Sequence, residues 1–413
     1  MSDFKDFTQS PRLQNVKYDV RGPIAQEATR LERAGHRIMR LNIGNLAPFG
    51  FEAPESILMD MINNLPTAQG YSDSQGIYSA RKAVALYYQA RGMRGADVDD
   101  VFLGNGVSEL ISMALQALLA PGDEVLIPAP DYPLWTGATA LSGGNPVHYI
   151  CDEDNNWWPD PEEVESKVTE RTKALVIINP NNPTGAVYPR WLLESMVDIC
   201  RRHNLILFAD EIYERITYDG VEAINACTLS DDVLTVSFSG LSKTWRVAGF
   251  RSGWAYISGP TRRAQNYLEG ITLLANMRMC PNVPAQHAIQ AALGGHQSIE
   301  DLISPEGRLY EQRETAYQLL NEIDGVDVRR PDGALYLFPR LDPEIYPIED
   351  DEQFVIDLLR QQKILVSHGR AFNWIDDQHF RLVALPSAED LEEAIGRIST
   401  YLSGVRDRAV SRS

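Results

Sequence analysis

Cysteine is scarce in this sequence: four residues in 413, at 151, 200, 227 and 280, with no CxxC spacing. That excludes a disulfide framework and fits free thiols in a reducing compartment. Histidine is sparse too, seven residues at 36, 148, 203, 287, 296, 368 and 379, none forming HxH, HExxH or a Cys/His cluster. No metal centre is expected from such scattered ligands. Apolar runs are short, and none approaches the roughly 18–20 residues that span a membrane. The opening stretch, residues 1–13, lacks an apolar core, so no secretory leader and a cytoplasmic location are expected. Basic residues are in deficit, 38 Lys and Arg against 57 Asp and Glu, a formal charge of −19. A nucleic-acid or anionic-membrane surface needs clustered cations, so neither partner is expected. GxSxG, Walker A, internal repeats and low-complexity tracts are missing as well.

What is present reads as a globular chain, 44% hydrophobic and 23% charged, long enough for more than one core. Short runs rich in Val, Ile and Leu alternate with longer amphipathic stretches. The expected strands are Val101–Leu103, Glu124–Pro128, Pro146–Tyr149, Ala174–Ile178, Ile206–Ala209, Val233–Phe238 and Gly253–Ile257. Helical patterns, such as Ser108–Leu119 and Pro189–His203, fall between them. This alternation predicts an α/β fold: a mostly parallel seven-stranded sheet sandwiched by helices, with ligands at the carboxyl ends of the strands. Beyond about residue 295, helical segments Arg308–Ile323 and Glu352–Gln362 flank short strands Gly333–Leu337 and Phe380–Leu385. A last helix is expected from near Ser387, after the Pro386 break. The expected division is an N-terminal arm and part of a small domain over 1–50, a large domain over 51–295 and an α+β small domain over 296–413.

The segments that follow the strands carry the chemistry. Gly104-Asn105-Gly106-Val107-Ser108-Glu109 opens a helix, and free N–H groups there suit a phosphate. Its sixth position is Glu109 rather than Gly, which disfavours a dinucleotide, and taken alone the loop reads better as a helix capped by Ser108. Tyr132, flanked by Pro130 and Pro133, suits either stacking on a flat ring or plain packing. Asn179-Pro180-Asn181-Asn182-Pro183-Thr184-Gly185 is a fixed polar loop whose amides could serve a phenolate and a carboxylate. Asp210-Glu211-Ile212-Tyr213 ends an apolar run with an acid; it is either a surface acid or a buried one that needs a cationic partner such as a protonated pyridine nitrogen. Lys243 follows an apolar run in a loop of small residues, Ser237-Phe238-Ser239-Gly240-Leu241-Ser242, a setting for a nucleophilic amine. Arg251, eight residues on, brings fixed positive charge and paired donors. Arg381, inside an apolar strand, is either a clamp for a carboxylate or half of an internal ion pair. Together these are the needs of one ligand, pyridoxal 5'-phosphate, and the arginine adds an amino acid.

Asn-Pro-Asn-Asn-Pro-Thr-Gly, Asp-Glu-Ile-Tyr and Ser-Lys-x7-Arg together make the sequence resemble the PLP-dependent class I/II aminotransferases of fold type I, over nearly the whole chain. Further stretches are similar to the bacterial alanine aminotransferases (glutamate–pyruvate transaminases): Leu41-Asn42-Ile43-Gly44-Asn45, Pro66-Thr67-Ala68-Gln69-Gly70-Tyr71, Asn276-Met277-Arg278 and Asn282-Val283-Pro284-Ala285-Gln286-His287. The resemblance implies that Lys243 carries the cofactor as a Schiff base and Asp210 pairs with its ring nitrogen. Tyr213 and Asn182 would bond its phenolate oxygen, and Tyr132 would stack on the ring. Val107, Ser108 and Arg251 would hold the phosphate, with Ser239 or Ser242 and with Tyr71 reaching across from a second subunit. Arg381, Asn182 and backbone Gly44 would take the substrate carboxylate, and Tyr18 on the arm would help close the site. A homodimer with shared sites is part of the implication. One departure is Gly240, where many relatives place Ser three before the lysine; Ser252 and Arg246 also differ from the commoner wording.

The implied reaction moves an amino group between L-alanine and 2-oxoglutarate, giving pyruvate and L-glutamate, ping-pong through pyridoxamine phosphate. Released Lys243 would move the α-proton as general base and acid. Alternatives from the same site are a donor such as valine or an aromatic amino acid, and a β-lyase or decarboxylase reaction. The fold also serves as an effector-sensing module in transcription regulators, which the acid excess disfavours.

Overall fold

The computed structural model describes residues 6–16 and 22–410. Its centre is an eight-stranded sheet: β1 Val101–Gly104, β2 Glu124–Ala129, β3 Asn145–Asp152, β4 Trp158–Pro159, β5 Thr172–Ile178, β6 Ile206–Asp210, β7 Thr235–Gly240 and β8 Gly253–Ser258. The spatial order is β1-β8-β7-β6-β5-β2-β3-β4. Pairs among β2, β3, β5, β6 and β7 are parallel, while β8 runs antiparallel to both β7 and β1. All seven expected strands are present. The eighth, β4, has two residues antiparallel to β3, too few for any periodic signal.

The unbroken apolar runs follow from burial on both faces. Along β5, Leu175 and Ile177 join Leu126, Leu207 and Leu192 on one face, while Ala174, Val176 and Ile178 join Val125, Ile127, Phe208 and Phe238 on the other. Successive side chains alternate faces, so a strand covered twice cannot show a polar period.

The strand ends set the site. Ile178 lies opposite Asp210, and Asp210 opposite Phe238. Beside them Gly240, Gly253 and Gly104 stand in a row across β7, β8 and β1. A Cβ on Gly253 would come within 2.9 Å of the Val107 nitrogen, and one on Gly240 within 2.8 Å of the Ser252 oxygen. The departure at Gly240 therefore has a steric reason in this chain. The helix expected from Ser108 runs Val107–Leu118, and its cap is Gly106 at φ 81 with no side-chain cap bond. Ser108 is the second helical residue, which corrects its reading as the cap.

A second core joins Ile24, Ala28 and Leu31 of the helix Pro23–Arg33, together with Leu41, to Leu337, Leu359, Phe380, Leu391, Ile395 and Leu402. Met39–Arg40 runs parallel with Ile364–Leu365, and Tyr336–Leu337, Phe380–Val383 and Ser367–His368 form an antiparallel sheet. The strand expected over 333–337 is only Tyr336–Leu337, because Ala334 sits at φ 58, outside the extended region. The final helix, Ala388–Val410, starts after Ser387, whose hydroxyl accepts from the Asp390 nitrogen at 3.1 Å. Among the described residues no helix is long and apolar enough to cross a membrane.

Phe208 on β6 is fully buried between Trp135 and Phe238, with ring centroids 5.7 and 5.9 Å away. Phe208→Ala should lower stability by about 3–5 kcal/mol, read from urea denaturation midpoints. A loss near zero would contradict this packing.

Candidate active site

At the C-terminal edge of the sheet, the turn after β1 leads into the helix Val107–Leu118, whose first-turn N–H groups have no partner within the helix. Glu109 turns back and accepts from Asn105 N at 2.7 Å and Asn105 Nδ2 at 3.0 Å, and it pairs with Arg278. The sixth position of the glycine-rich turn thus carries a brace where a dinucleotide turn has glycine. Arg251 reaches the same helix start: its Nη2 donates to Ser108 Oγ at 3.2 Å and its Nη1 to Ala248 O at 3.0 Å.

Asp210 ends β6 and is buried. Its carboxylate accepts from Trp135 Nε1 at 3.1 Å and from the Ile212 nitrogen at 3.4 Å. Burial pushes its pKa up to about 6, against the pull of the Trp135 bond. Lys243 follows β7, and its Nζ donates to Gly44 O at 2.7 Å and lies 5.8 Å from the Tyr213 ring centroid.

The loop 179–185 divides its amides by task. Asn179 Oδ1 accepts from Tyr188 N at 2.8 Å, and Asn181 Oδ1 accepts from the Thr184 hydroxyl at 2.9 Å. Both serve the loop itself, whose Asn179-Pro180 and Asn182-Pro183 bonds are cis. Asn182 instead faces inward, and its Oδ1 accepts from Arg381 Nη1 at 2.9 Å. Arg381 also donates to Asn42 O, and its guanidinium lies 4.5 Å from the ring centres of both Tyr336 and Phe372. Tyr213 and Tyr336 share a hydroxyl–hydroxyl bond of 2.5 Å. Burial first, then Tyr336, raises the Tyr213 pKa and keeps the phenol a proton donor.

One cavity of about 670 Å³ gathers Gly44, Val107, Ser108, Tyr132, Asn182, Asp210, Tyr213, Ser242, Lys243, Arg251 and Arg381. Two expected site residues stand elsewhere. Ser239 is buried and donates its hydroxyl to Glu214 Oε1 at 3.1 Å, so the structure separates it from the cavity. Tyr71 is 81% exposed and borders a separate hollow with Asn105, Cys280 and Asn282. Tyr18 lies outside the described residues. Tyr336, Trp135, Asn42 and Phe372 are site residues that sequence reasoning missed. Trp135 sits three residues after Tyr132, which is a weak signal; Tyr336 lies in an ordinary apolar run and Phe372 in a mixed segment after Arg370, and neither carries one.

Among the described residues no group of three or more His, Cys, Asp or Glu could hold a metal. All four cysteines are free, and burial pushes Cys151 up to about 12. The arrangement offers an anion site at one end, a guanidinium at the other, and an amine, a buried acid and a phenol pair between.

A family model described as aminotransferase class I and II matches residues 37–398. The chain is 61% identical over 401 residues to an alanine aminotransferase of Mycobacterium tuberculosis, covering 97% of this chain and 94% of that one. It is 57% identical over 396 residues to the glutamate-pyruvate aminotransferase AlaA of Escherichia coli, covering 96% and 98%. Its fold matches a solved alanine aminotransferase from Pyrococcus furiosus with a TM-score of 0.91 at 36% identity, covering 96% of this chain and 100% of that one.

The native state keeps the Asp210 proton between pH 3.8 and about 6, where the unfolded chain has lost it. Native protein then binds more protons, so stability falls as pH rises across that window and the penalty stays constant above it. In ligand-free protein Asp210→Asn should match wild type near pH 4 and exceed it by roughly 1–3 kcal/mol at pH 7, by urea midpoints. An equal difference at both pH values would refute burial as the cause.

Proposed function

We propose, for a chain that belongs to the class I and II aminotransferases, that it exchanges the amino group between L-alanine and 2-oxoglutarate, giving pyruvate and L-glutamate. The observation that carries the reading is the meeting of Lys243, Asp210 and Arg381 in one cavity. The choice of alanine and glutamate is supported by what the relatives at 61% and 57% identity are named for.

The cofactor of this enzyme class is pyridoxal 5'-phosphate, and the residues present fit it. The Val107 and Ser108 N–H groups, the Ser108 and Ser242 hydroxyls and Arg251 would hold a phosphate at the helix start. A Cβ on Gly106 would strike the Arg251 guanidinium, so glycine keeps that cradle open. Asp210, buried with neutral donors on it, would gain from a protonated ring nitrogen. Tyr213 and Asn182 would meet the phenolate oxygen, and Tyr132 a ring face. Ser239 is left out because its hydroxyl serves Glu214.

When bound, this cofactor supplies an aldehyde that takes up amino groups and a ring that withdraws electrons from the substrate's α-carbon. Lys243 is the amine that would hold it covalently. Once freed, the Lys243 amine would act first as base and then as acid for the proton at the substrate's α-carbon. Asp210 would hold a proton at the ring nitrogen. The Tyr213 hydroxyl, itself bonded to Tyr336, donates where negative charge rests on the ring oxygen. Arg381 grips the α-carboxylate, with Asn182 and the Gly44 backbone beside it. The oxo acid leaves, a second one enters, and the same residues run the steps in reverse.

Further parts of the reading are a cytoplasmic location and a homodimer in which Tyr71 completes the phosphate site of a second copy. Its high exposure supports the latter. The division into an N-terminal arm and part of the small domain over 1–50, a large domain over 51–295 and a C-terminal small domain over 296–413 is supported by the core that joins Ile24 and Leu41 to residues of the last hundred.

Purified protein should absorb near the visible edge; alanine alone should remove that band and pyruvate should restore it. Lys243→Ala should abolish both changes while the protein stays folded, and half-reactions surviving in that variant would overturn its role. Arg381→Ala should raise KM for every α-carboxylate substrate about tenfold or more, as losing roughly 1.5–3 kcal/mol from a charged hydrogen bond requires. An unchanged KM would make that arginine structural.

A further inference from the structure

Asp131 takes no part in the chemistry above, yet it is the most completely buried acid beside the cavity, with no exposed surface. It lies in the turn between β2 and the helix Leu134–Leu141, directly before Tyr132. Oxygen Oδ2 accepts from the Thr136 hydroxyl at 2.7 Å, in the first turn of that helix. The same turn presents Trp135, which reaches Asp210. Oxygen Oδ1 accepts from Asn373 Nδ2 at 2.7 Å, and the Asp131 nitrogen donates to Phe372 O at 2.9 Å. Asn373 also donates to the Thr136 hydroxyl at 3.2 Å, and it stands at φ 56, a left-handed conformation that Asn tolerates well. Tyr132 and Phe372 both line the cavity, and Phe372 lies against the Arg381 guanidinium. Three hydrogen bonds thus run between one turn of the sheet edge and one turn beside the carboxylate clamp, and two of them end on Asp131.

Burying a carboxylate among neutral donors is costly. Burial pushes its pKa up to about 7. The titratable group that faces it is His148 of β3, with Nε2 3.9 Å from Oδ2 and 2.9 Å from the Thr136 hydroxyl. The side chain at this position offers two terminal atoms at a fixed angle, one toward Thr136 in the helix after Tyr132 and one toward Asn373 beside Phe372.

We infer that Asp131 is a positioning residue, which through Asn373 holds Tyr132 and Phe372 at a set separation and so shapes the space in front of Arg381 for the substrate. The inference rests on the reading of this cavity as the amino-acid and oxo-acid site.

The test uses succinate, a dicarboxylate that has no amino or oxo group to react. Its dissociation constant is measured by calorimetry on cofactor-loaded protein, beside KM and kcat for both half-reactions and the melting temperature of cofactor-free protein. Asn373→Ala should raise the succinate dissociation constant and KM about tenfold while kcat stays within about twofold, because Lys243, Asp210 and Tyr213 keep their places. Asp131→Ala should do at least as much and lower kcat as well. Asp131→Asn should stay near wild type: the Thr136 hydroxyl can turn to accept from the new amide while Asn373 donates to the remaining oxygen. Asp131→Ala with Asn373→Ala should cost clearly less than the sum of the two single changes, since both remove the bond between these side chains. If the two alanine variants lower the melting temperature but leave succinate binding and KM within about twofold, the bridge is structural only and the inference falls. Wild-type protein that binds succinate yet does not react with alanine would defeat the exchange reading alone, and the succinate series would still decide this one.

Discussion

A carboxylate held out of water at the end of a buried strand is the constraint on which this site depends. Asp210 terminates β6 in the middle of the sheet, with Ile178 and Phe238 as its lateral neighbours. The donors that reach it there, an indole N–H and a backbone N–H, are neutral. Such an arrangement is expensive in isolation and becomes favourable when a cation arrives. On the function proposed above, a protonated ring nitrogen would recover that cost on binding.

Around that acid the backbone is cut back so that neighbouring elements can approach closely. Gly240, Gly253 and Gly104 form a row without side chains, so the start of the helix Val107–Leu118 packs directly against β8. Arg251, at φ 51, turns its guanidinium onto that helix start. The positive end of a helix and a permanent cation thereby converge on one point, which suits a dianion such as a phosphate. On the opposite side the demands are different. Arg381 sits between two aromatic faces and donates to two neutral oxygens, a setting that fixes its plane. The two ends of the cavity therefore differ in kind: one joins a helix start to the Arg251 guanidinium, the other holds a stacked arginine side chain.

Much of this was legible in the sequence because each feature is local. Seven strands show as apolar runs, since burial on two faces removes the polar period. The Lys243–Arg251 segment, the loop 179–185 and the Asp210–Tyr213 turn each show a chemically unusual residue beside a strand end. Other features were hidden for definite reasons. A two-residue strand such as Trp158–Pro159 has no period. Ser108 looks like a cap, but the left-handed Gly106 before it takes that position. Ser239 and Ser242 are equivalent as letters, and only the tertiary structure distinguishes them: Ser239 on β7 bonds Glu214, while Ser242, in the loop after the strand, lines the cavity.

The sequence by itself determined the kinds of group available and their order along the chain: an amine after one strand, an acid after another, an arginine in a late apolar run. It did so because helix and strand periods, turn residues and the cost of burying charge act over a few neighbouring residues. Only the tertiary structure decided which of those groups meet. Asn182 with Arg381, Lys243 with Gly44, and Asp131 with Asn373 are separated by 199, 199 and 242 residues. Contacts of that range depend on how β-strands are ordered across the sheet and how the late segments fold back over its edge, and no local propensity encodes either.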